Sequence, residues 1–265
     1  MVRHGGASIE TIKPMGFKML QSQGTQAGQV LGILELEPEP TVPPTPGTLQ
    51  DSATFSFPII AETVSGAWVN VVVPGDPALE SAYVAAARRL VERGAVAITA
   101  DCGFSIRHQA AVAAAVSVPV ALSALMLVPV ILRQLPATAK LAILTFDAAC
   151  CGRELLDLDD PSEQARVVIG GVENGQAWLN EMARPPLPTS TAVLQKDVCT
   201  RIQELRETHP EIGAILLECT MFPRVAESIR RFTTLPVYDI TTLCRMVMES
   251  VSTHSSEASI IADGV

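Results

Sequence analysis

The chain has 265 residues, of which 48% are apolar, 18% charged and only 4% aromatic, with a formal net charge of −9. That acidic balance excludes a nucleic-acid partner, which needs a basic footprint. A mean hydropathy of +0.31 excludes disorder over most of the length, and scarce aromatics disfavour stacking platforms for bases or sugars.

Residues 1 to about 27 are polar, without a sustained period, and read as an N-terminal arm. Gln29 to Leu36 is a short apolar run of parallel-strand type, followed by a rigid loop carrying Pro38, Pro40, Pro43, Pro44 and Pro46. That loop is either a surface connector or a cover over a ligand crevice. Val69 to Val73 reads as a strand, and Leu79 to Arg93 as an amphipathic helix stopped by Gly94. Ala95 to Ala100 is a buried strand ending at Asp101-Cys102-Gly103, with a helix from about Ile106 to Val116. Ala110 to Leu132 is uncharged and long enough to span a bilayer. Pro119 and Pro129 interrupt it, so it reads as a helix end, a short strand Val118–Leu122 and a second helix, with no membrane partner. Further strands are expected at Leu141–Phe146, Arg166–Ile169 and Ala214–Leu217, with a helix from Thr191 to Thr208. Alternating strands and helices with aliphatic strands predict an α/β protein with parallel sheets. No apolar leader core precedes Gly28, and six cysteines are too dilute for a disulfide framework, so a reduced, cytoplasmic protein is expected.

A weak internal duplication runs through this pattern. Ala97–Cys102 echoes Ala214–Cys219, and Val118-Pro119-Val120 echoes Leu235-Pro236-Val237. Cys102 and Cys219 are 117 positions apart, and so are Pro119 and Pro236. Two similar halves would place both cysteines just past the carboxyl end of a strand, where open α/β sheets hold ligands. Facing thiols suit carbon-acid chemistry: a thiolate removes a proton from one face of a carbon while a thiol on the other face delivers one. Gly103-Phe104-Ser105 and Thr220-Met221-Phe222 lead into helical stretches, whose N–H groups would lower the thiol pKa and hold a substrate carboxylate. Cys150, Cys151, Cys199 and Cys244 lack the repeat relationship and read as small buried hydrophobes. Asp101 and Glu218 look like acid–base partners, but strand alternation turns them away from the cleft. His108 reads as a surface or boundary residue. No metal-ligand spacing and no nucleotide fingerprint is present, so neither metal nor cofactor is expected.

The motifs Thr99-Ala100-Asp101-Cys102-Gly103-Phe104 and Leu216-Leu217-Glu218-Cys219-Thr220-Met221-Phe222-Pro223 resemble the aspartate/glutamate racemase superfamily. This group also includes hydantoin racemases, maleate isomerases, arylmalonate decarboxylases and algal dimethylsulfoniopropionate lyases. Supporting strings are Leu31–Leu34, Ala53–Pro58 and Leu235–Ile240. The resemblance implies two pseudo-symmetric α/β subdomains with the active site in the cleft between them, and Cys102 and Cys219 as an acid/base pair. The implied division is an arm at 1–29, a first subdomain at 30–122 plus 238–265, and a second at 123–237. Gly103-Phe104 stands where amino-acid racemases of the group carry Asn-Thr, Met221 where glutamate racemases carry His, and Glu218 where a glycine is usual. These departures put an amino-acid substrate in doubt.

The leading expectation is therefore a cofactor-independent racemase or epimerase on a small carboxylate substrate. The substrate would be bound by Gly103, Phe104, Ser105, Thr220, Met221, Ser123 and Thr145. A lyase or decarboxylase of the same group is the alternative, and an inactive binding protein the third. A homodimer is expected as the commonest soluble assembly.

Overall fold

The computed structural model describes residues 29–37 and 45–252. The N-terminal arm except its last residue, nearly all of the proline loop and the segment after residue 252 lie outside the described residues. The strands are β1 (Val30–Glu35), β2 (Ile59–Thr63), β3 (Ala95–Ala100), β4 (Val120–Ala121), β5 (Lys140–Thr145), β6 (Val167–Gly171), β7 (Ile212–Leu217) and β8 (Val237–Tyr238). The helices are α1 (Val69–Val72), α2 (Glu80–Glu92), α3 (Gln109–Ala115), α4 (Val128–Gln134), α5 (Pro161–Gln164), α6 (Gln176–Met182), α7 (Thr191–Thr208), α8 (Pro223–Thr233) and α9 (Ile240–Val251).

Two four-stranded parallel sheets result, in the orders β2-β1-β3-β4 and β6-β5-β7-β8. The central strands β1, β3, β5 and β7 are aliphatic and almost wholly buried, as parallel sheets covered on both faces require. Their register repeats as well. β1 meets β3 with a shift between Val30 and Leu31, and β5 meets β7 with the same shift between Lys140 and Leu141. β3 and β7, like β4 and β8, are offset by the 117 positions read in the sequence. The two halves interlock through the helices after their last strands. The short 3-10 turn Ala124–Leu127 and α4, which follow β4, pack on β7 and β5, while α9, which follows β8, packs on β3 and β4. The uncharged stretch Ala110–Leu132 is divided among α3, β4, that turn and α4. No described helix is long and apolar enough to cross a membrane.

α2 shows how local sequence sets an element. Asp76 accepts a hydrogen bond from the Ala78 N–H at 2.9 Å and Pro77 opens the 3-10 turn that leads into it. Tyr83, Ala86, Ala87 and Leu90, at helical spacing, face the sheet. Gly94, with φ +92°, ends it as expected.

One element differs from the sequence reading. Val69–Val73 is not a strand but contains the helical turn α1. The outer edge of β1 is already taken by β2, which pairs from Leu31↔Ile59 to Glu35↔Thr63. The chain then turns at Gly66, with φ +80°, and carries the valine run away from the open edge of β2 to the cavity wall. β-Branched residues make a strand only where a ladder is available. Ile59–Thr63 escaped notice because every one of its residues is only half-buried, so it lacks a continuous apolar signature.

Candidate active site

Both cysteine motifs sit at the carboxyl ends of the sheets' central strands and line one cavity between the halves. Its wall is formed by Leu36, Val69, Val73, Asp101, Cys102, Gly103, Phe104, Phe146, Glu181, Glu218, Cys219, Thr220 and Met221. Its volume is ≈ 80 Å³, room for roughly six waters at about one probe sphere each. That suits a substrate of fewer than about ten heavy atoms rather than a drug-sized ligand. Val69 and Val73 reach the wall together because four positions on a helical turn fall on one face. The Thr220 hydroxyl donates to the Asp101 carbonyl and ties the second motif to the first.

Cys102 caps the 3-10 turn Gly103–His108, and the N–H groups of Phe104 and Ser105 favour its thiolate; the Met221 N–H does the same for Cys219. The expected lowering of the thiol pKa nevertheless does not occur. Burial, and next the negative charge of Glu218, push both thiols well above the ordinary cysteine value. Desolvation of a thiolate in a narrow, carboxylate-rich cavity outweighs a few N–H dipoles. All six cysteines are free thiols. Cys151 and Cys244 are buried, as expected, while Cys150 and Cys199 are half-buried.

The two carboxylates expected to face away instead line the cavity. Strand alternation stops at Ala100 and Leu217, where the pleat ends, so it does not govern the next residue. Asp101 accepts from the Leu36 N–H at 3.0 Å and from Gln50 Nε2 at 3.1 Å, and burial raises its pKa to about 7. Glu218 accepts from Thr145 Oγ1 at 2.7 Å, and burial lifts it to about 7 also. A Cβ added at Gly103 would run into Oε1 and the backbone oxygen of Glu218. The two departures in the motifs are therefore one feature: the glycine after Cys102 leaves the space that the carboxylate before Cys219 fills.

Of the residues expected to bind substrate, Gly103, Phe104, Thr220 and Met221 are on the wall. Ser105, Ser123 and Thr145 are not, and each is fully buried behind it. Ser105 is hydrogen-bonded to Tyr83 Oη at 2.9 Å, Ser123 accepts from the Leu125 N–H at 3.2 Å, and Thr145 holds Glu218. A small hydroxyl near a strand end has backbone and side-chain partners closer than the cavity, and these win. His108 is likewise no surface residue: it is buried and stacks on Tyr83 at 4.3 Å between ring centroids. Among the described residues, no group of three or more His, Cys, Asp or Glu side chains converges to hold a metal.

No family model matches the chain. Solved structures do. Unliganded arylmalonate decarboxylase superposes with a TM-score of 0.54 and 20% identity, over 85% of this chain and 94% of that one. Allantoin racemase from Klebsiella pneumoniae gives 0.55 and 12%, over 84% and 86%. Glutamate racemase from Francisella tularensis subsp. tularensis SCHU S4, in complex with D-glutamate, gives 0.51 and 14%, over 84% and 80%. The chain has the aspartate/glutamate racemase fold.

The chain is also similar in sequence to curated proteins. A dimethylsulfoniopropionate lyase of Durusdinium sp. clade D is 27% identical over 203 residues, 74% of this chain and 67% of the relative. Dimethylsulfoniopropionate lyase 6 of Emiliania huxleyi (strain CCMP1516) is 27% identical over 236 residues, 83% of this chain and 59% of the relative. The chain thus spans about three fifths to two thirds of these curated relatives. Proteins named as lyases are thus among its relatives.

Proposed function

We propose that the chain is a lyase acting on a small carboxylate substrate that carries a positively charged leaving group on the β-carbon, with Cys102 and Cys219 as its acid/base residues. The observation that carries this reading is the charge of the cavity. Two thiols share it with the carboxylates of Asp101, Glu181 and Glu218, while no Lys, Arg or His lines it among the described residues. Such a wall disfavours a simple dianion and favours a zwitterion. Dimethylsulfoniopropionate, the substrate in the relatives' names, has that charge pattern and eight heavy atoms.

In the elimination, a cysteine thiolate takes the α-proton. The C–H electron pair becomes the C=C bond, the C–S bond breaks, and its pair leaves with neutral dimethyl sulfide, giving acrylate. In this reading the backbone N–H groups around Gly103 and Met221 stabilise the enolate-like charge. The second reading, racemisation, is favoured by one specific observation: there are two thiols, and elimination needs only one base.

The test is to incubate the protein with dimethylsulfoniopropionate in D₂O, following headspace dimethyl sulfide and the proton spectrum. Sulfide and acrylate formation, falling by at least about 100-fold in Cys102→Ser and in Cys219→Ser, is the expected result. Exchange of the α-proton without release of sulfide would reject the lyase reading and leave proton transfer alone, the step that the racemase reading needs on a substrate with a stereogenic α-carbon. Release unaffected by both substitutions would remove the thiols from the mechanism.

A further inference from the structure

Carbon-acid chemistry by cysteine needs a thiolate, and in this cavity both thiols are held in the protonated form. A thiol proton must therefore have somewhere to go. Glu218 is 1% exposed. Its Oε2 receives the Thr145 hydroxyl at 2.7 Å and the Phe146 N–H also favours the charged carboxylate, whereas Oε1 is buried with no hydrogen bond of good geometry. Buried carboxylate oxygens are nearly always satisfied, and this one lies over Gly103 on the cavity wall, between the two cysteine motifs. The charged and titratable groups around it are Cys102 beyond β3, Cys219 on its own strand end, Cys151 after β5, Arg107 in the turn after Cys102, and Asp101 and Glu181 on the same wall. Arg107 is the one cation of the set. Its guanidinium is engaged by the carbonyls of Cys150 at 2.7 Å and Val73 at 3.3 Å and does not line the cavity.

We propose that Oε1 of Glu218 is the proton acceptor for the Cys102–Cys219 thiol pair. The S–H bond breaks, its electron pair stays on sulfur, and the proton reaches Oε1 through one cavity water. That water takes the thiol proton and gives one of its own to Oε1, because neither thiol hydrogen-bonds to Oε1 directly. A neutral thiol and a carboxylate become a thiolate and a neutral carboxyl, so the net charge of the cavity is unchanged. Burial brings the carboxyl, at about 7, closer to the thiols than an ordinary exposed glutamate would be. Both thiols remain the weaker acids, so the thiolate is a minor species that the exchange regenerates as it is used. The use made of the thiolate rests on the lyase reading; the shared proton does not, being a property of the free protein.

The experiment is alkylation of the full chain by iodoacetamide without substrate, from about pH 5 to about pH 10. Peptide mass spectrometry reads Cys102 and Cys219 separately, with Cys150 as internal control. Only the thiolate reacts. In the wild type the rate at the coupled thiol rises about tenfold per pH unit and levels near pH 7, because above it the remaining proton belongs to the pair. In Glu218→Gln the rise continues through pH 7 without a break. Thr145→Val is the second variant. It removes a donor to the charged carboxylate and moves the break to higher pH. Identical profiles in wild type and Glu218→Gln, or a break that Thr145→Val leaves in place, overturn the proposal. With a substrate in hand, Glu218→Gln is expected to lose about 100-fold in kcat and the acidic limb of its pH profile. A Glu218-dependent break in a protein that releases no sulfide would sustain the shared proton and reject the lyase reading.

Discussion

Glu218 and Gly103 form a matched pair, and each constrains substitution of the other. Gly103→Ala places a methyl group against both the carboxylate and the backbone oxygen of Glu218, which is expected to destabilise the fold by about 1–3 kcal/mol. In a Glu218→Ala background the side-chain part of that clash disappears while the backbone part stays. Urea titrations of the four proteins should therefore give a coupling of about 1 kcal/mol. The same carboxyl has a pH signature. Its folded pKa, about 7, lies above its ordinary value of 4.5 because of burial, so the folded state binds the extra proton between those values. Its contribution to stability is complete below about pH 4.5 and is lost as pH rises through 7. Asp101, raised from 3.8 to about 7 by burial, acts in the same direction. Urea midpoints of the wild type at pH 5 and pH 8, set against those of Glu218→Gln, should show a smaller decline in the variant. An equal decline would mean that Glu218 ionises in the folded protein as an exposed glutamate does.

At the level of single elements, the end of α2 offers a clean case. Gly94 has φ +92°, and no atom lies within 4 Å of the point where a Cβ would stand, so Gly94→Ala creates no clash. Its cost is conformational alone, about 1–2 kcal/mol, and should appear as an unchanged m-value with a lower urea midpoint. On the buried face of α2, Tyr83→Phe deletes the partner of the Ser105 hydroxyl. A loss of about 1 kcal/mol is expected, with the turn that carries Cys102 loosened. Elements were legible where burial or capping is unambiguous: β3, aliphatic and almost wholly buried, and α7, capped by Ser190 with one buried stripe, have the bounds that aliphatic content and capping predict. They were illegible where an edge is involved. β2 is half-buried and mixed in composition, and the valine run is turned away from the open sheet edge at Gly66 and is helical in α1.

Across the whole molecule, the exchange of last helices makes each half depend on the other. α9 covers β3 and β4, so a chain ending before Ile240 leaves the Ile98 and Leu122 region of the first sheet without its cover. Such a truncation should fail to fold, read as loss of cooperative unfolding by circular dichroism, whereas the intact chain should unfold in a single transition. The 117-position repeat, the parallel α/β class and the placement of two cysteines at equivalent strand ends follow from the amino-acid order alone, because aliphatic runs and turn residues act over short range. What lies across the cavity from each thiol was decided only in three dimensions. The inward turn of Asp101 and Glu218, the withdrawal of Ser105 and Thr145 into hydrogen bonds with Tyr83 and Glu218, and the burial that raises both thiol pKa values depend on groups distant in sequence. The bond Ser123 makes to the Leu125 N–H, by contrast, is local. Burial energy depends on everything packed around a charge, and most of what surrounds Cys102 and Cys219 lies more than a hundred residues from one or the other along the chain.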